Sequence, residues 1–370
     1  MRVQTTVADP TTVSTIASTR RIVKNLDYLA ARLHGRRSRM AEGERLDGLC
    51  RLRSLQEYFR MIFPETEFTG VLDFQRRLLH ELIDELSRLS SYMGGPGADL
   101  VDWMLVRFQV ENLKLLIRVF LTKTPVEEMY GLFAPLSGKL ALDIQGFAAA
   151  QSLEDICRLV PKGILRYNLG KALEIYRDHP RPFFFEAALD RGYFQGLITR
   201  MEQLSQEDRE IVRPIIYQEV DIFNLMLVLR GKFHYNLPID MLKPLHVASS
   251  KISREIFSDM LNDPDMDTSA GRVAERVLDI TPSGEGLKDR SIVADVSTLE
   301  GLAWKRFLRL ANLAFRKSHM GLGAIIGYVG LRRVEVANLI TVSEGIYNTM
   351  TAENIRRRLI LNNDVERAHV

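Results

Sequence analysis

An all-α protein is the fold class this sequence predicts, and three observations predict it. Apolar residues recur at three- and four-residue spacing along most of the chain, as in Leu78, Leu82, Leu86 and Leu89, or Val106, Val110, Leu113 and Ile117. That is the period of a helix with one buried face. Runs alternating polar with β-branched residues, the mark of a half-buried strand, are missing. The breaks carry turn chemistry: Gly94-Gly95-Pro96-Gly97, His179-Pro180-Arg181-Pro182, Asp263-Pro264-Asp265 and Thr281-Pro282-Ser283-Gly284.

Taken from the N-terminus, residues 1–18 read as a polar, Thr/Ser-rich flexible tail without the apolar core of a secretory signal. A basic helix follows from Tyr28 to Arg39, then long amphipathic helices over Phe74–Ser90 and Trp103–Phe120. A polar loop region near 263–295 is expected to hold one helix inside it. Met320 to Leu331 is too short for the ~20 apolar residues that cross a bilayer, and it runs into Arg332 and Arg333. Its Gly321-Leu322-Gly323 start lacks the preceding strand a dinucleotide loop needs. The glycines there are read as letting helices approach closely. A soluble, intracellular chain is the expectation.

Composition narrows function. The 370 residues are 46% hydrophobic and 26% charged, with a net charge of +3. A nucleic-acid binder driven by bulk charge would be more basic. Two cysteines, Cys50 and Cys157, lie too far apart in sequence for a disulfide framework or a CxxC metal site.

Internal repetition is the most informative feature. Gln109-Val110-Glu111-Asn112-Leu113, Asp221-Ile222-Phe223-Asn224-Leu225 and Glu335-Val336-Ala337-Asn338-Leu339 share one pattern, with the asparagines 112 and then 114 residues apart. Upstream, Phe74-Gln75 with Leu78 and Leu82-Ile83 matches Phe185-Glu186 with Leu189 and Tyr193-Phe194, and then Glu300 with Ala303 and Phe307-Leu308. The spacing is nearly constant, so three helical-bundle repeats are expected: 19–135, 136–245 and 246–370.

In each copy the apolar residues two before and one after the asparagine share a helix face, which should pack inward. Asparagine weakens a helix interior, so its threefold use points to a buried polar group that it satisfies. Gln109, Asp221 and Glu335, three residues earlier, sit where they can bond the asparagine or a neighbouring backbone. The six positions Gln109, Asn112, Asp221, Asn224, Glu335 and Asn338 are therefore expected to be structural, with direct ligand contact as the other reading. Three equal units tend to close into a pseudo-threefold ring, and a short open stack is the competing arrangement.

At these residues the sequence resembles the C-subunit family of the V-type/A-type rotary ATPases, whose eukaryotic members are the d subunits. The resemblance begins near Leu26. It rests on Tyr28-Leu29-Ala30-Ala31-Arg32-Leu33, Glu111-Asn112-Leu113-Lys114, Phe185-Glu186 with Leu189-Asp190 and Tyr193-Phe194, Asp221-Ile222-Phe223-Asn224-Leu225 with Arg230, and Gly330 through Leu339. It implies a pseudo-threefold funnel of helices serving as a non-catalytic central-stalk connector. One end would rest on the cytoplasmic loops of the proteolipid c-ring, and the other would receive the central-stalk subunits D and F. The chain would then lie at the cytoplasmic face of the membrane as a peripheral component, carrying torque for ion transport. The family's Gly-Gly turn after the second asparagine helix is replaced here by Asn236-Leu237-Pro238-Ile239-Asp240. Glu344 stands where the first two copies have Arg118 and Arg230.

Sites of bond-making chemistry are not expected. There is no GxxxxGK[ST] phosphate loop, no HxxxH or HExxH spacing and no DDxxD pair, so no catalytic residue, cofactor or metal is assigned. Asp263-Pro264-Asp265-Met266-Asp267 begins like a calcium loop, but Thr268 and Ala274 occupy the places that need glycine and glutamate. The basic clusters, Arg36-Arg37 with Arg39 and Arg356-Arg357-Arg358, read as solvated helix faces or as contacts for acidic stalk residues or lipid headgroups. A free-standing helical scaffold is the alternative function.

Overall fold

Serine and threonine caps set many of the helix starts. Ser54, Ser152, Ser205, Ser253 and Thr351 each accept the backbone N–H three residues ahead, satisfying donors the first turn leaves open. The computed structural model describes residues 28–361 apart from 179, 250, 266–270, 280–295 and 319. The expected tail at 1–18, the turn at Thr281–Gly284 and much of the 263–295 region lie outside the described residues. Among those described every regular element is helical.

The chain opens with α1 (28–37), α2 (Gly43–Cys50), α3 (Leu55–Ile62), α4 (Val71–Ser91) and α5 (Gly95–Thr122). Next come α6 (Ile144–Ala148), α7 (Leu153–Leu159), α8 (Ile164–Tyr176), α9 (Pro182–Glu202) and α10 (Gln206–Met226). The last set is α11 (Ile239–Leu242), α12 (Arg254–Asn262), α13 (Gly271–Leu278), α14 (Val296–Lys317), α15 (Leu322–Tyr347) and α16 (Ala352–Arg357). Helix α13 falls inside the region read as polar loop. The Gly94–Gly97 break is narrower than its sequence suggests. Gly95 already begins α5 with a φ of 63°, and Pro96 sits in its first turn, where the missing N–H costs nothing.

Six long helices carry the architecture. Helix α4 packs on α5, α5 on α9, α9 on α10, α10 on α14, α14 on α15, and α15 returns to α4. The α5–α9, α10–α14 and α15–α4 contacts each have a polar clasp near the C-terminal end of α5, α10 or α15. Arg118 Nε donates to Glu186 at 2.5 Å, and Arg230 pairs with Glu300. At the third seam Gln75 donates to Glu344 at 2.6 Å and to Ser343 at 3.1 Å.

At their opposite ends α5, α10 and α15 converge. A Cβ added to Gly97 would meet Leu322 at 3.3 Å, and one added to Gly323 would meet Ile211 at 2.6 Å. Farther along α15, a Cβ at Gly327 would lie 2.6 Å from the Phe315 backbone nitrogen. Only glycine permits that approach of α14 and α15.

Helices α1 to α3 lie across the α15–α4 seam. The Ala41 N–H donates to Glu335 at 2.5 Å, the Tyr58 hydroxyl to the Leu339 carbonyl at 2.8 Å, and Arg37 to Asn312 at 3.0 Å. An aromatic cluster of Tyr58, Phe59, Phe68 and Phe74 anchors this segment to the core. The seam whose C-terminal clasp has Gln75 and Glu344 in place of an arginine pair is thus the one bound over by the N-terminal helices.

Candidate functional site

Each of the three expected asparagines makes the same pair of bonds. Asn112 donates to the Ala134 carbonyl at 2.9 Å and accepts the Ala134 N–H at 2.8 Å. Asn224 does so with Val247 at 2.7 and 3.0 Å, and Asn338 with Ile360 at 3.0 and 2.8 Å. All three are buried. Each side-chain amide therefore replaces a peptide group, fixing the extended stretch of chain that returns after its helix and satisfying its backbone donor and acceptor.

The residues three before do not bond the asparagines; each holds other backbone or side-chain groups. Gln109 donates to the Leu140 carbonyl at 3.0 Å. Asp221 accepts from the Ser249 hydroxyl and from the Lys251 N–H at 3.4 Å. Glu335 accepts from Ala41 and pairs with Arg332. Burial pushes the Asp221 carboxyl above its ordinary value, because removing a carboxylate from water disfavours its charge. Of the predicted inward face, Val110, Leu113, Leu225, Val336 and Leu339 are buried, whereas Ile222 is only half-buried. It lines a central cleft instead.

Beyond each asparagine a left-handed residue ends the helix: Lys123, Asn236 and Thr349, with φ of 56°, 49° and 52°. The following N–H reaches back to the Val119, Gly231 and Gly345 carbonyls at 3.1, 2.9 and 2.9 Å, a left-handed C-terminal cap. Asn236 lies 12 residues past Asn224, against 11 for the other two pairs. The extra residue is absorbed in a π-helical turn, Leu227–His234, that continues α10. Such one-residue insertions widen a helix without breaking it.

The space enclosed by the helix cycle is charged and aromatic. Two adjoining cavities of about 310 and 170 Å³ share Arg107, Trp304 and Arg333. Arg107, Glu219 and Arg333 each stand five residues before their asparagine. Arg333 forms a two-pronged bond to Glu219 at 2.8 and 2.9 Å and lies 4.9 Å from the Phe307 ring centre. Arg107 bonds Asp190 at 3.0 Å and lies 5.6 Å from the Tyr193 ring centre. Lys114 adds a 2.7 Å contact to Asp190. Burial opposes the charge on both arginines, but Asp190 and Glu111 around Arg107, and Glu219 beside Arg333, more than offset it. Both guanidinium groups are held above the ordinary arginine value.

Sequence patterning does not mark Arg107, Asp190, Glu219, Trp304 and Arg333 as a site. The signal that could find Arg107, Glu219 and Arg333 is their register relative to the asparagines. The arrangement suits a rigid polar socket better than catalysis: its ionic groups are paired to one another, and Trp304, 36% exposed, offers an apolar contact. Among the described residues no cluster of His, Cys, Asp and Glu could hold a metal ion. No described helix is long and apolar enough to cross a membrane. Cys50 and Cys157 are free thiols.

Known proteins share this chain's sequence pattern along most of its length. A family model described as "ATP synthase (C/AC39) subunit" matches residues 29–358. The A-type ATP synthase C subunit of Methanothermobacter thermautotrophicus is 25% identical over 324 residues, covering 85% of this chain and 82% of that protein. The V-type ATP synthase C subunit of Deinococcus radiodurans is 22% identical, covering 90% of each chain. The V-type proton ATPase d subunit of Dictyostelium discoideum is 19% identical, covering 88% of this chain and 92% of its own.

Proposed function

The chain belongs to the ATP synthase (C/AC39) subunit family of the V/A-type rotary ATPases, and on that premise we propose that it is the non-catalytic connector of the central stalk. In this reading three repeats, 19–135, 136–245 and 246–370, form a pseudo-threefold funnel. The funnel receives the shaft subunits D and F at its open end and stands on the cytoplasmic loops of the proteolipid c-ring. It lies peripherally at the cytoplasmic face and carries torque for ion transport without making or breaking bonds.

One observation carries this reading: six long helices pack in a cycle that closes on itself and encloses a charged, aromatic cleft. A torque-bearing adaptor needs stiffness, which a closed cycle of close-packed helices supplies, because dense interiors transmit strain. The recurring asparagine brackets support the threefold division, and the convergence of α5, α10 and α15 at one end supports a taper.

The test is binding by the purified full chain to a D–F pair and, separately, to detergent-solubilised c-ring. Association with both, and no ATP hydrolysis by the chain alone, is the expected result. A chain that binds neither, or that hydrolyses ATP unaided, contradicts it. A free-standing scaffold would fail to copurify with ATPase catalytic subunits from solubilised membranes.

A further inference from the structure

On the outside of the α15–α4 seam, opposite the central cleft, a cavity of about 390 Å³ is lined by Arg32, Arg36, Arg39 and Arg332 with Glu85 and Glu335. Four guanidinium groups face two carboxylates. Both carboxylates are already engaged. Glu85 accepts from Arg36 at 2.5 Å, from the Tyr328 hydroxyl at 2.8 Å and from Arg332 at 2.8 Å. Glu335 accepts from Ala41 at 2.5 Å and pairs with Arg332.

Two positive charges remain. Among the described residues Arg32 meets no carboxylate. Arg39 only donates its Nε to the Gly35 carbonyl, at 3.4 Å. Both side chains are exposed. Arg32, Arg36 and Arg39 follow one another at four- and three-residue spacing, so α1 and the turn after it set them along one face, and Arg332 closes the cavity from α15.

Like charges at this spacing destabilise a helix, and a solvated face would not need a fourth arginine opposite. Guanidinium groups bind phosphate oxygens in two-pronged fashion and are weakly hydrated. We propose that this cavity binds a phosphate-class anion through Arg32 and Arg39, with Arg36 and Arg332 contributing the N–H donors that Glu85 leaves free. The anion is either a free polyphosphate or the phosphate of a membrane headgroup. The inference is independent of the rotary reading, since it needs only the charge imbalance and the cavity.

The experiment uses the full chain and the double variant Arg32→Gln/Arg39→Gln, whose native side chains make no ion pair among the described residues. Binding of pyrophosphate is followed by calorimetry at fixed ionic strength. Vesicles of phosphatidylglycerol and of phosphatidylcholine are tested by flotation. Pyrophosphate binding that weakens at least tenfold in the double variant supports a free-anion site. Flotation with phosphatidylglycerol alone, lost in the double variant, supports the headgroup. The proposal is overturned if neither probe distinguishes the double variant from the native chain. It is equally overturned if Arg177→Gln, an exposed arginine far from the cavity, produces the same loss.

Discussion

Replacing Asn224 by leucine probes the asparagine bracket where it is most buried. Asn224 is 0% exposed, and its amide supplies both bonds to Val247, itself 1% exposed. Leucine matches asparagine in side-chain heavy atoms, though its two methyl groups are bulkier than the amide, and it leaves the Val247 N–H and carbonyl without partners. Each orphaned buried group costs about 1–3 kcal/mol, and the added apolar burial returns part of it, leaving a net loss of about 3 kcal/mol. With an unfolding entropy of about 2.1 cal/mol/K per residue, that lowers Tm by about 4 °C. Calorimetry or chemical denaturation of the native chain, Asn224→Leu and the control Asn354→Leu, at an exposed position, measures it, and the control should move by less than about 0.5 kcal/mol. Asn224→Asp sharpens the result: its carboxylate still accepts the Val247 N–H but faces the Val247 carbonyl. Its loss should shrink on acidification as the protonated acid regains a donor. An Asn224→Leu chain as stable as the native one would refute the claim that these asparagines fasten the returning chain.

Other outcomes follow from the same geometry. Gly327→Ala places a Cβ 2.6 Å from the Phe315 nitrogen, so α14 and α15 must separate; thermal unfolding should show a loss of at least about 2 kcal/mol. The Glu85 carboxyl is subject to burial that disfavours its charge, yet Arg332, the Tyr328 hydroxyl and Arg36 overcome this and hold it below the ordinary range. Its contribution is therefore present above the unfolded carboxylate value of about 4.3 and is lost as pH falls through the folded value. Hydrogen-exchange protection over residues 28–50, after division by the intrinsic rate, should fall in the native chain as acid protonates Glu85, and should already be low at neutral pH in Glu85→Gln. The opposite sign applies to Asp221, whose carboxyl burial raises: its contribution is full below the unfolded value and is lost as pH rises through the folded one. Asp221→Asn keeps an acceptor for Ser249 and should melt at or above the native chain at neutral pH, the gap closing in acid.

The helical class and the register of the asparagines were legible because both are patterns of side-chain type at fixed spacing. The partners of those asparagines were not. Ala134, Val247 and Ile360 offer only backbone groups, which carry no sequence signature. The three left-handed caps were hidden for a similar reason. Lys123, Asn236 and Thr349 share a conformation but no chemistry, and the π-helical turn displaces the middle one by a residue. The charged group inside the cycle was obscured by its alternation of sign, Arg107, Glu219 and Arg333, since a search for like residues passes over complementary ones. Glu344 stood out as a departure from Arg118 and Arg230, but only the fold brings it to Gln75. The Gly94–Gly97 segment looked like a broad break because glycine and proline weaken helix interiors, while at a helix start the same residues are favourable.

Rotation in the assembled complex tests the central claim most directly. With Cys157 changed to serine and a cysteine placed at Glu174, which is exposed on α8, a bead can be attached to this chain while the catalytic head is immobilised. The account predicts stepwise turning of the bead on addition of ATP, in phase with a bead on the shaft. A bead that stays still while the shaft turns would contradict it.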